Sequence, residues 1–283
     1  MRFLAALAAV VAAGCSRAPV ERVEWPAMGT VAAVQVRGEH AAASLPASLC
    51  RKSAANAFSE VERLLNAHDA DSEVSRLAPL SEDEILAKCD PRMKPCYEAA
   101  FKLAKASGGA FNPRWKGPET LDLGAIAKGF AVDMAADATC VDGNDALLDL
   151  GGNLKALKGE GGSHKPWKTG VKDPNRGGFA AVVELREGEA LATSATYYRG
   201  SHIYDGRTGK PVENGVASVT VLCGSAMWAD GLSTTLFVLG PEEGRKFLSK
   251  KLPGLCIGSP VAAFWILADG RQVCHDPHSR LQN

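Results

Sequence analysis

The stretch LDLGAIAKGFAVDMAAD, residues 121–137, decides the fold prediction. A short apolar run containing Asp122 ends at Gly124, and apolar residues then recur at helical spacing. This pattern predicts a strand-to-helix turn with Asp122 and Gly124 at the mouth of the helix. Backbone N–H groups converge at such an end and favour an anion such as a phosphate, within reach of Lys128. An ordinary buried helix, with a tight turn at Gly124 and a solvated Lys128, explains the same residues equally well.

Composition limits the classes of protein that the chain can represent. Its 283 residues suit one large domain or two intimate ones, enough for a sizeable core. Lys plus Arg equals Asp plus Glu at 32 each, and no block of like charge stands out. The electrostatic footprint of a nucleic-acid-binding protein is therefore absent.

The N-terminus carries the pattern of an export signal. Arg2 precedes an apolar run over residues 3–13, and the small residue Gly14 then precedes Cys15. The AAGC ending resembles a bacterial lipobox, although Ala12 stands where Leu is usual; plain secretion with cleavage nearby is the alternative. We expect a lipoprotein signal over residues 1–15, a tether over 16–24 and a folded domain over 25–283. This predicts an exported protein, lipid-anchored in the bacterial envelope and facing the periplasm.

Seven cysteines remain if Cys15 carries the lipid, and disulfides are permitted outside the cytosol. An odd count leaves at least one thiol without an intramolecular partner. We expect disulfides between Cys89 and Cys96 and between Cys256 and Cys274, because each pair flanks a short loop. The cysteine and histidine spacings do not match a zinc site.

Helices and strands interleave along the chain. Strands are predicted over residues 31–36, 145–150, 167–171, 180–185, 189–193 and 216–223, with a C-terminal hairpin around Asp269 and Gly270. Helices are predicted over residues 51–67, 95–106, 225–239 and 242–251, besides the helix after Gly124, and Ser72 is a predicted N-cap. The alternation predicts a mixed α/β (α+β) fold in a single domain.

Eight motifs in order resemble the ApbE-type FAD:protein FMN transferases, from about residue 25 to the C-terminus. They are MGT at Met28, GAFNP at Gly109, LDLGAIAKGFAVD at Leu121, DLGGN at Asp149, the segment from Trp167 to Asp173-Pro174, ATS at Ala192, SHIYDGRTGKP at Ser201 and SVTVLCGSAMWADGLSTTLFVLG at Ser218.

The resemblance implies a fold, an activity and partners. Enzymes of this family have an α/β fold that is split and partly T-fold-like. They use Mg²⁺ to cleave FAD at its diphosphate and transfer FMN to a Thr or Ser hydroxyl of an acceptor protein, releasing AMP. Typical acceptors are flavin-carrying subunits of membrane redox complexes.

The resemblance also implies site residues. The Mg²⁺ ligands would be the backbone carbonyl of Ala125 and the side chains of Asp230 and Thr234, which lie four apart and hence on one helix face. Oxygen ligands of this kind suit a hard cation. His202 would be the acid/base group beside the diphosphate, since histidine is the side chain whose ordinary titration range is near neutrality. The FAD contacts would come from Met28, Ala110, Phe111, Asn112, Asp122, Lys128 and Ile203.

Two departures from the family pattern bear on this site. His68 occupies about the place of a family aromatic residue, which puts a stacking contact in doubt. Gly206 follows Asp205 where Pro is usual, and we expect it to loosen the turn that presents His202. Two other functions remain open: a Mg²⁺-dependent FAD pyrophosphatase, in which water replaces the acceptor hydroxyl, and a non-catalytic FAD-binding lipoprotein.

Overall fold

The computed structural model describes residues 20–38, 47–139, 144–158, 165–196, 203–255 and 260–277. The strands of the described chain are β1 (Val20–Ala27), β2 (Thr30–Gly38), β3 (Asn144–Leu150), β4 (Asn153–Lys158), β5 (Trp167–Lys172), β6 (Phe179–Leu185), β7 (Ala190–Ala195), β8 (Tyr204–Asp205), β9 (Lys210–Pro211), β10 (Val216–Cys223), β11 (Ala262–Leu267) and β12 (Gln272–His275). The helices are α1 (Ala47–Leu65), α2 (Glu73–Leu77), α3 (Glu82–Lys88), α4 (Lys94–Ala106), α5 (Ala127–Ala138) and α6 (Ala226–Lys250). The predicted mixed α/β fold is confirmed.

One eight-stranded sheet organises the molecule, in the order β1-β2-β3-β4-β7-β10-β11-β12. Every neighbouring pair in it is antiparallel. Because successive side chains of a strand point to opposite faces, the buried residues divide into two cores. Helices α1, α4, α5 and α6 cover one face, where Val34, Leu148 and Trp265 are buried. The separate β5–β6 ribbon covers the other face, packing Val183 against a second cluster that includes Leu147 and Phe264.

Helix α6 crosses the helical layer and carries Asp230 and Thr234. Its N-terminus is capped by Ser225, whose Oγ accepts from the Trp228 N–H at 3.2 Å. Gly240, with φ of 71°, breaks the helix before Pro241. The two helices predicted on either side of this point therefore exist and follow each other directly.

Asp133 of helix α5 ties that helix to the start of α6. Its carboxylate accepts from the Ser225 hydroxyl at 2.6 Å and from the backbone N–H groups of Ala226 and Met227 at 3.0 and 2.9 Å. Lys155 of β4 pairs with the same carboxylate at 3.1 Å. A carboxylate at a helix N-terminus satisfies unpaired N–H groups and interacts favourably with the helix dipole. These contacts set the register of α6 against α5.

The structure corrects four parts of the sequence analysis. Strand β1 begins at Val20, so residues 20–24, which we assigned to a tether, belong to the sheet. Residues 121–123 form no strand, since their segment lies outside the sheet and Asp122 N–H donates to the Pro113 carbonyl at 2.7 Å. Strand β4 was not predicted. Helix α3 was also missed, although its Ser81–Glu84 capping box is a recognisable start signal.

The predicted Cys89–Cys96 disulfide is wrong. Both residues carry free thiols, and Cys96 lies in the core on the inner face of α4. Burial raises the pKa of both thiols, which disfavours the thiolate needed for disulfide formation. Cys274 is a free, exposed thiol, and its predicted partner Cys256 lies outside the described residues.

In the part of the chain that the structure describes, none of the helices has the length and apolar character needed to cross a bilayer. The predicted signal over residues 1–15 lies outside that part.

Candidate functional site

Helices α5 and α6 meet at Gly129, close enough to exclude any side chain there. A Cβ on Gly129 would lie 2.1 Å from the Ala226 carbonyl oxygen and 2.7 Å from the Asp230 Cβ. The Gly129 N–H donates to Asp230 Oδ2 at 2.9 Å. Beside this contact, a Cβ on Gly231 would lie 3.1 Å from Ile126 Cδ1, three residues before Gly129. The segments around residues 125 and 230, distant in sequence, are therefore in contact.

The bond from Gly129 to Asp230 also changes the start of helix α5. In a regular α-helix the Gly129 N–H would donate to the Ala125 carbonyl, four residues back. It donates to Asp230 instead, and no other described residue donates a hydrogen bond to the Ala125 oxygen. One N–H group thus anchors the Asp230 carboxylate and leaves the carbonyl of Ala125 with its lone pairs available.

Asp230 is a buried carboxylate, with 6% of its surface exposed. Burial raises the pKa of this carboxyl, and the charge of Lys128 and the Gly129 N–H offset part of the rise. Among the described residues, only its Oδ2 atom is hydrogen-bonded. Ionisation of this group is therefore less favourable than for an exposed carboxyl, and a positive charge near the other oxygen would favour it.

A chain of hydroxyl groups connects Thr234 to strand β7. Ser194 Oγ lies 3.1 Å from Thr234 Oγ1 and 2.7 Å from Ser233 Oγ. Ser233 Oγ donates in turn to the Asp230 carbonyl at 2.9 Å. Ser194 lies in the ATS motif, one of those that carry the family resemblance, and no role was predicted for it.

Asp122 and Lys128 both pack against the turn at Gly124. Asp122 Oδ1 accepts the Gly124 N–H at 2.9 Å, and Lys128 Nζ donates to the Gly124 carbonyl at 3.0 Å. Asp122 Oδ2 pairs with Lys116 Nζ at 3.0 Å, a partner that sequence reasoning missed. Burial by itself raises the pKa of Asp122, but the Gly124 N–H, Lys116 and His68 together hold that pKa below its usual value. His68 thus lies near Asp122, at the edge of this turn.

At the N-terminus of α5, where the sequence predicts an anion site, three backbone N–H groups donate to protein acceptors. The Ile126 and Ala127 N–H groups donate to the Leu123 carbonyl, and that of Gly129 donates to Asp230. These helix-end groups are occupied by protein acceptors, because the preceding turn closes tightly at Leu123. Lys128 remains the cationic group of this helix end.

The segment from Ala110 to Asn112 lies against the turn between β8 and β9. Asn112 Nδ2 donates to the Gly206 carbonyl at 3.0 Å, and the Gly206 N–H donates to the Ala110 carbonyl at 3.2 Å. A Cβ on Gly206 would lie 2.4 Å from the Asn112 Cβ. The expectation that Gly206 loosens the turn is wrong, since the close approach requires glycine and the Gly209 N–H closes the turn on Asp205 at 2.8 Å.

The remaining predicted FAD contacts lie in two environments. Phe111 is buried in the helical-face core and so is Ile203. Met28, at the β1–β2 turn, has a φ of 48°, which is rare for a residue other than glycine, and its N–H donates to Glu62 Oε2 at 3.4 Å. Residues 26–31 and Glu62 line a cavity of about 500 Å³ there. His202 lies outside the described residues.

The described residues contain no cluster of three or more His, Cys, Asp and Glu side chains close enough to hold a metal. A cation at the junction of α5 and α6 would therefore draw on a mixed set of oxygens. The Ala125 carbonyl, the Asp230 carboxylate and the Thr234 hydroxyl offer oxygens of the kind that Mg²⁺ accepts as ligands. The fold and this junction define a mixed α/β protein whose helices α5 and α6 meet at Gly129 and Asp230.

Comparison with known proteins assigns the family. A model described as the ApbE family matches residues 28–118 and 114–257, and the chain belongs to the ApbE family. The FAD:protein FMN transferase of Rhodobacter capsulatus is 44% identical over 132 residues, covering 44% of this chain and 25% of the relative. That of Vibrio cholerae is 39% identical over 134 residues, covering 44% of this chain and 40% of the relative. The match therefore spans less than half the length of these relatives.

Solved structures share the fold. The flavin transferase ApbE from Vibrio cholerae superposes with a TM-score of 0.71 over 93% of this chain and 100% of its own, at 23% identity. The flavinyl transferase ApbE from Pseudomonas stutzeri, in its apo form, gives a TM-score of 0.67 over 91% of this chain and 94% of its own, at 24% identity. At such low identity these likenesses establish the fold alone.

Proposed function

We propose that this protein transfers FMN from FAD to a Thr or Ser hydroxyl of an acceptor flavoprotein. The acceptor oxygen forms a bond to the FMN phosphorus while the bond from that phosphorus to the bridging oxygen breaks. AMP leaves with the bridging oxygen, and the hydroxyl proton passes to a base. The names of the relatives with 32–44% identity support this reaction.

The observation that carries the proposal is the junction of α5 and α6. The Gly129 N–H leaves the Ala125 carbonyl without its helical donor and holds Asp230 by one oxygen only. With Thr234 one turn further along α6, three kinds of oxygen would hold Mg²⁺ from one side, leaving its other positions for the FAD diphosphate and water. The chemistry that a bound Mg²⁺ supplies is neutralisation of the charge developing on the bridging and leaving oxygens.

The other proposed site residues bind and orient FAD. Lys128 and Lys116 carry positive charge on either side of the Gly124 turn, where a phosphate group would be attracted. Met28 and the cavity beside it would take an apolar or aromatic portion of the ligand. The Ala110–Asn112 backbone would contact FAD next to the Gly206 turn. His202, which directly precedes Ile203 in the sequence, would accept the hydroxyl proton.

A transfer assay tests the proposal directly. The full chain would be incubated with FAD, Mg²⁺ and a flavin-accepting domain, and the products separated by denaturing electrophoresis and chromatography. We expect a fluorescent acceptor band, which shows covalently attached flavin, and one AMP released per flavin attached. Both products should be absent when EDTA is present. An acceptor whose target hydroxyl is replaced, Thr or Ser by Ala or Val, is the control.

The same assay separates the alternatives. Free FMN and AMP without a labelled acceptor would indicate the FAD pyrophosphatase, in which water takes the place of the hydroxyl. Retention of FAD without AMP would indicate the non-catalytic FAD-binding lipoprotein. Either result, if obtained with each of several acceptor domains, would contradict FMN transfer to a protein.

The acceptor and the location belong to the same proposal. A flavin-carrying subunit of a membrane redox complex is the expected partner, reached from a lipid-anchored position facing the periplasm. We expect Cys15→Ser to move the protein from the membrane fraction to the soluble envelope fraction, because Cys15 is the only residue of the proposed lipobox that can carry the lipid. Cys274→Ser, which removes an exposed thiol elsewhere, is the control. Unchanged membrane attachment in Cys15→Ser would contradict the anchor.

A further inference from the structure

The hydroxyl chain between strand β7 and helix α6 has a defined direction. A backbone carbonyl can only accept, so the contact between Ser233 Oγ and the Asp230 oxygen uses the single hydroxyl proton of Ser233. Ser233 must then accept from Ser194, whose proton is used in that 2.7 Å contact. At the remaining contact of 3.1 Å, Thr234 must be the donor to Ser194. This is the one proton arrangement that makes all three contacts hydrogen bonds.

The direction of the chain determines what Thr234 presents to its surroundings. A Thr in a helix usually donates back to the carbonyl four residues earlier, as Thr235 does to Gly231 at 2.8 Å. For Thr234 that carbonyl belongs to Asp230, and Ser233 already donates to it. The Thr234 proton is therefore directed to Ser194, on the side of β7. Among the described residues Thr234 Oγ1 accepts no hydrogen bond, so both of its lone pairs remain available.

We propose that Ser194 and Ser233 are positioning residues that turn the Thr234 hydroxyl into a cation ligand by holding its proton toward β7. A hydroxyl can ligate a metal only through an oxygen lone pair that its own proton does not block. Mg²⁺ demands nearly ideal geometry, so the orientation of each ligand affects affinity strongly. This inference rests on the proposed function, because it assumes that Thr234 is a ligand of Mg²⁺.

The two serines act in different ways, and their variants should differ. In Ser194→Ala the Thr234 hydroxyl loses its acceptor and rotates freely, while Ser233 stays bonded to the Asp230 carbonyl. In Ser233→Ala the Ser194 proton loses its acceptor and turns toward Thr234 Oγ1. The Thr234 proton can then no longer point to Ser194 and moves into the position of a lone pair that the cation needs. Removing Ser233, which lies one hydrogen bond further from Thr234 Oγ1, should therefore weaken binding more than removing Ser194.

The test measures cation affinity on the full chain, with Mn²⁺ as the probe and its EPR signal as the readout, and with Mg²⁺ as the competitor. Loss of partners that orient a metal ligand lowers affinity about 10–100-fold. We expect Kd to rise about 10-fold in Ser194→Ala and to approach a 100-fold rise in Ser233→Ala. The double variant should bind more tightly than Ser233→Ala alone, because no Ser194 proton remains to displace the Thr234 proton toward the cation. Ser194→Thr, which keeps a hydroxyl, should restore binding.

Thr193→Val is the matched control. Thr193 precedes Ser194 in the same strand but points to the other face of the sheet, where its hydroxyl lies 2.9 Å from that of Thr220. This variant loses one hydroxyl contact of β7 without touching Thr234, so we expect unchanged Kd. Cation affinity equal to that of the unaltered chain in both serine variants would overturn the inference. A double variant that binds the cation more weakly than Ser233→Ala would also overturn the inference. If the unaltered chain itself binds neither Mn²⁺ nor Mg²⁺, the proposed metal role is wrong and this inference falls with it.

Discussion

Asp230→Asn is expected to remove Mg²⁺-dependent FMN transfer and to leave the fold intact. The amide oxygen of Asn can still accept the Gly129 N–H, so the contact between α5 and α6 is kept. What disappears is the negative charge that faces the cation. We expect turnover to fall by about a thousandfold, the upper end for loss of one preorganised group that stabilises transition-state charge.

Stability measurements without the cation give an independent readout of Asp230→Asn. Burial raises the pKa of Asp230 in the folded state above its unfolded value. Its contribution to stability is therefore fully present below the unfolded pKa and is lost as pH rises through the folded pKa. At neutral pH in EDTA, the variant should unfold at a temperature no lower than that of the unaltered chain. Added Mg²⁺ should raise the midpoint of the unaltered chain and leave that of the variant unchanged.

Asp149→Asn is the matched control for this pair of measurements. Asp149 is also a carboxylate whose pKa burial raises, and its Oδ1 accepts the Gly152 N–H at 2.9 Å. Asp149 alternates with Leu148 and Leu150 on β3 and so points to the sheet face opposite the helices, and its variant should keep both the Mg²⁺ response and FMN transfer. Full activity of Asp230→Asn, or an undiminished Mg²⁺ shift in its unfolding midpoint, would remove Asp230 from the proposed ligand set.

Among the variants proposed here, Gly129→Ala is expected to cause the largest loss of folding stability. Alanine is favoured over glycine in a helix by about 1 kcal/mol, so propensity alone predicts a more stable protein. The added Cβ, however, would lie 2.1 Å from the Ala226 carbonyl oxygen, a backbone atom that cannot move away alone. The two helices must separate, and the bond from Gly129 N–H to Asp230 lengthens or breaks. Overpacking of this kind costs about 3 kcal/mol.

Urea denaturation with paired circular dichroism and fluorescence readouts measures this effect. Gly254→Ala provides the control, since a Cβ there would meet no atom within 4 Å and the residue has no positive φ. We expect the unfolding midpoint of Gly254→Ala to stay within error of the unaltered chain. A midpoint for Gly129→Ala equal to that of the control would contradict the close helix contact. Cation affinity should also fall in Gly129→Ala. The Gly129 N–H holds the Asp230 carboxylate in place and, by donating there, leaves the Ala125 carbonyl without a donor.

Local patterns predicted most of the secondary structure. The apolar periodicity of residues 51–67 and the alternation of 31–36 were read correctly as α1 and β2, and Ser72 caps α2 as expected. Elements with weaker patterns were missed or misread. Strand β1 lies at the edge of the sheet, and its residues are polar and largely exposed. Its sequence therefore resembled that of an unstructured tether. Leu121 and Leu123 are buried in the helical-face core, not by strand pairing, and apolar content alone does not distinguish these two environments.

The candidate site was predicted in part. Asp230 and Thr234 lie four residues apart on one helix, a relation that local geometry determines. The roles of Gly129 and Ser194 were not predicted. A glycine inside a helical pattern is a signal of close approach, but it does not identify the approaching partner. Ser194 lies 40 residues from Thr234, and their contact requires β7 to pack beneath α6.

The sequence by itself determined most of the helices and strands, which faces of them are apolar, and which family of proteins the chain resembles, because these properties depend on neighbours within a few residues or on motifs in a fixed order. Only the tertiary structure decided that the Gly129 N–H turns from Ala125 to Asp230, and that the Thr234 proton turns toward Ser194. Each of these choices is a competition between donors and acceptors brought together from distant parts of the chain. Such a competition has no outcome until the sheet order and the helix packing have placed the competing groups within about 3 Å of one another.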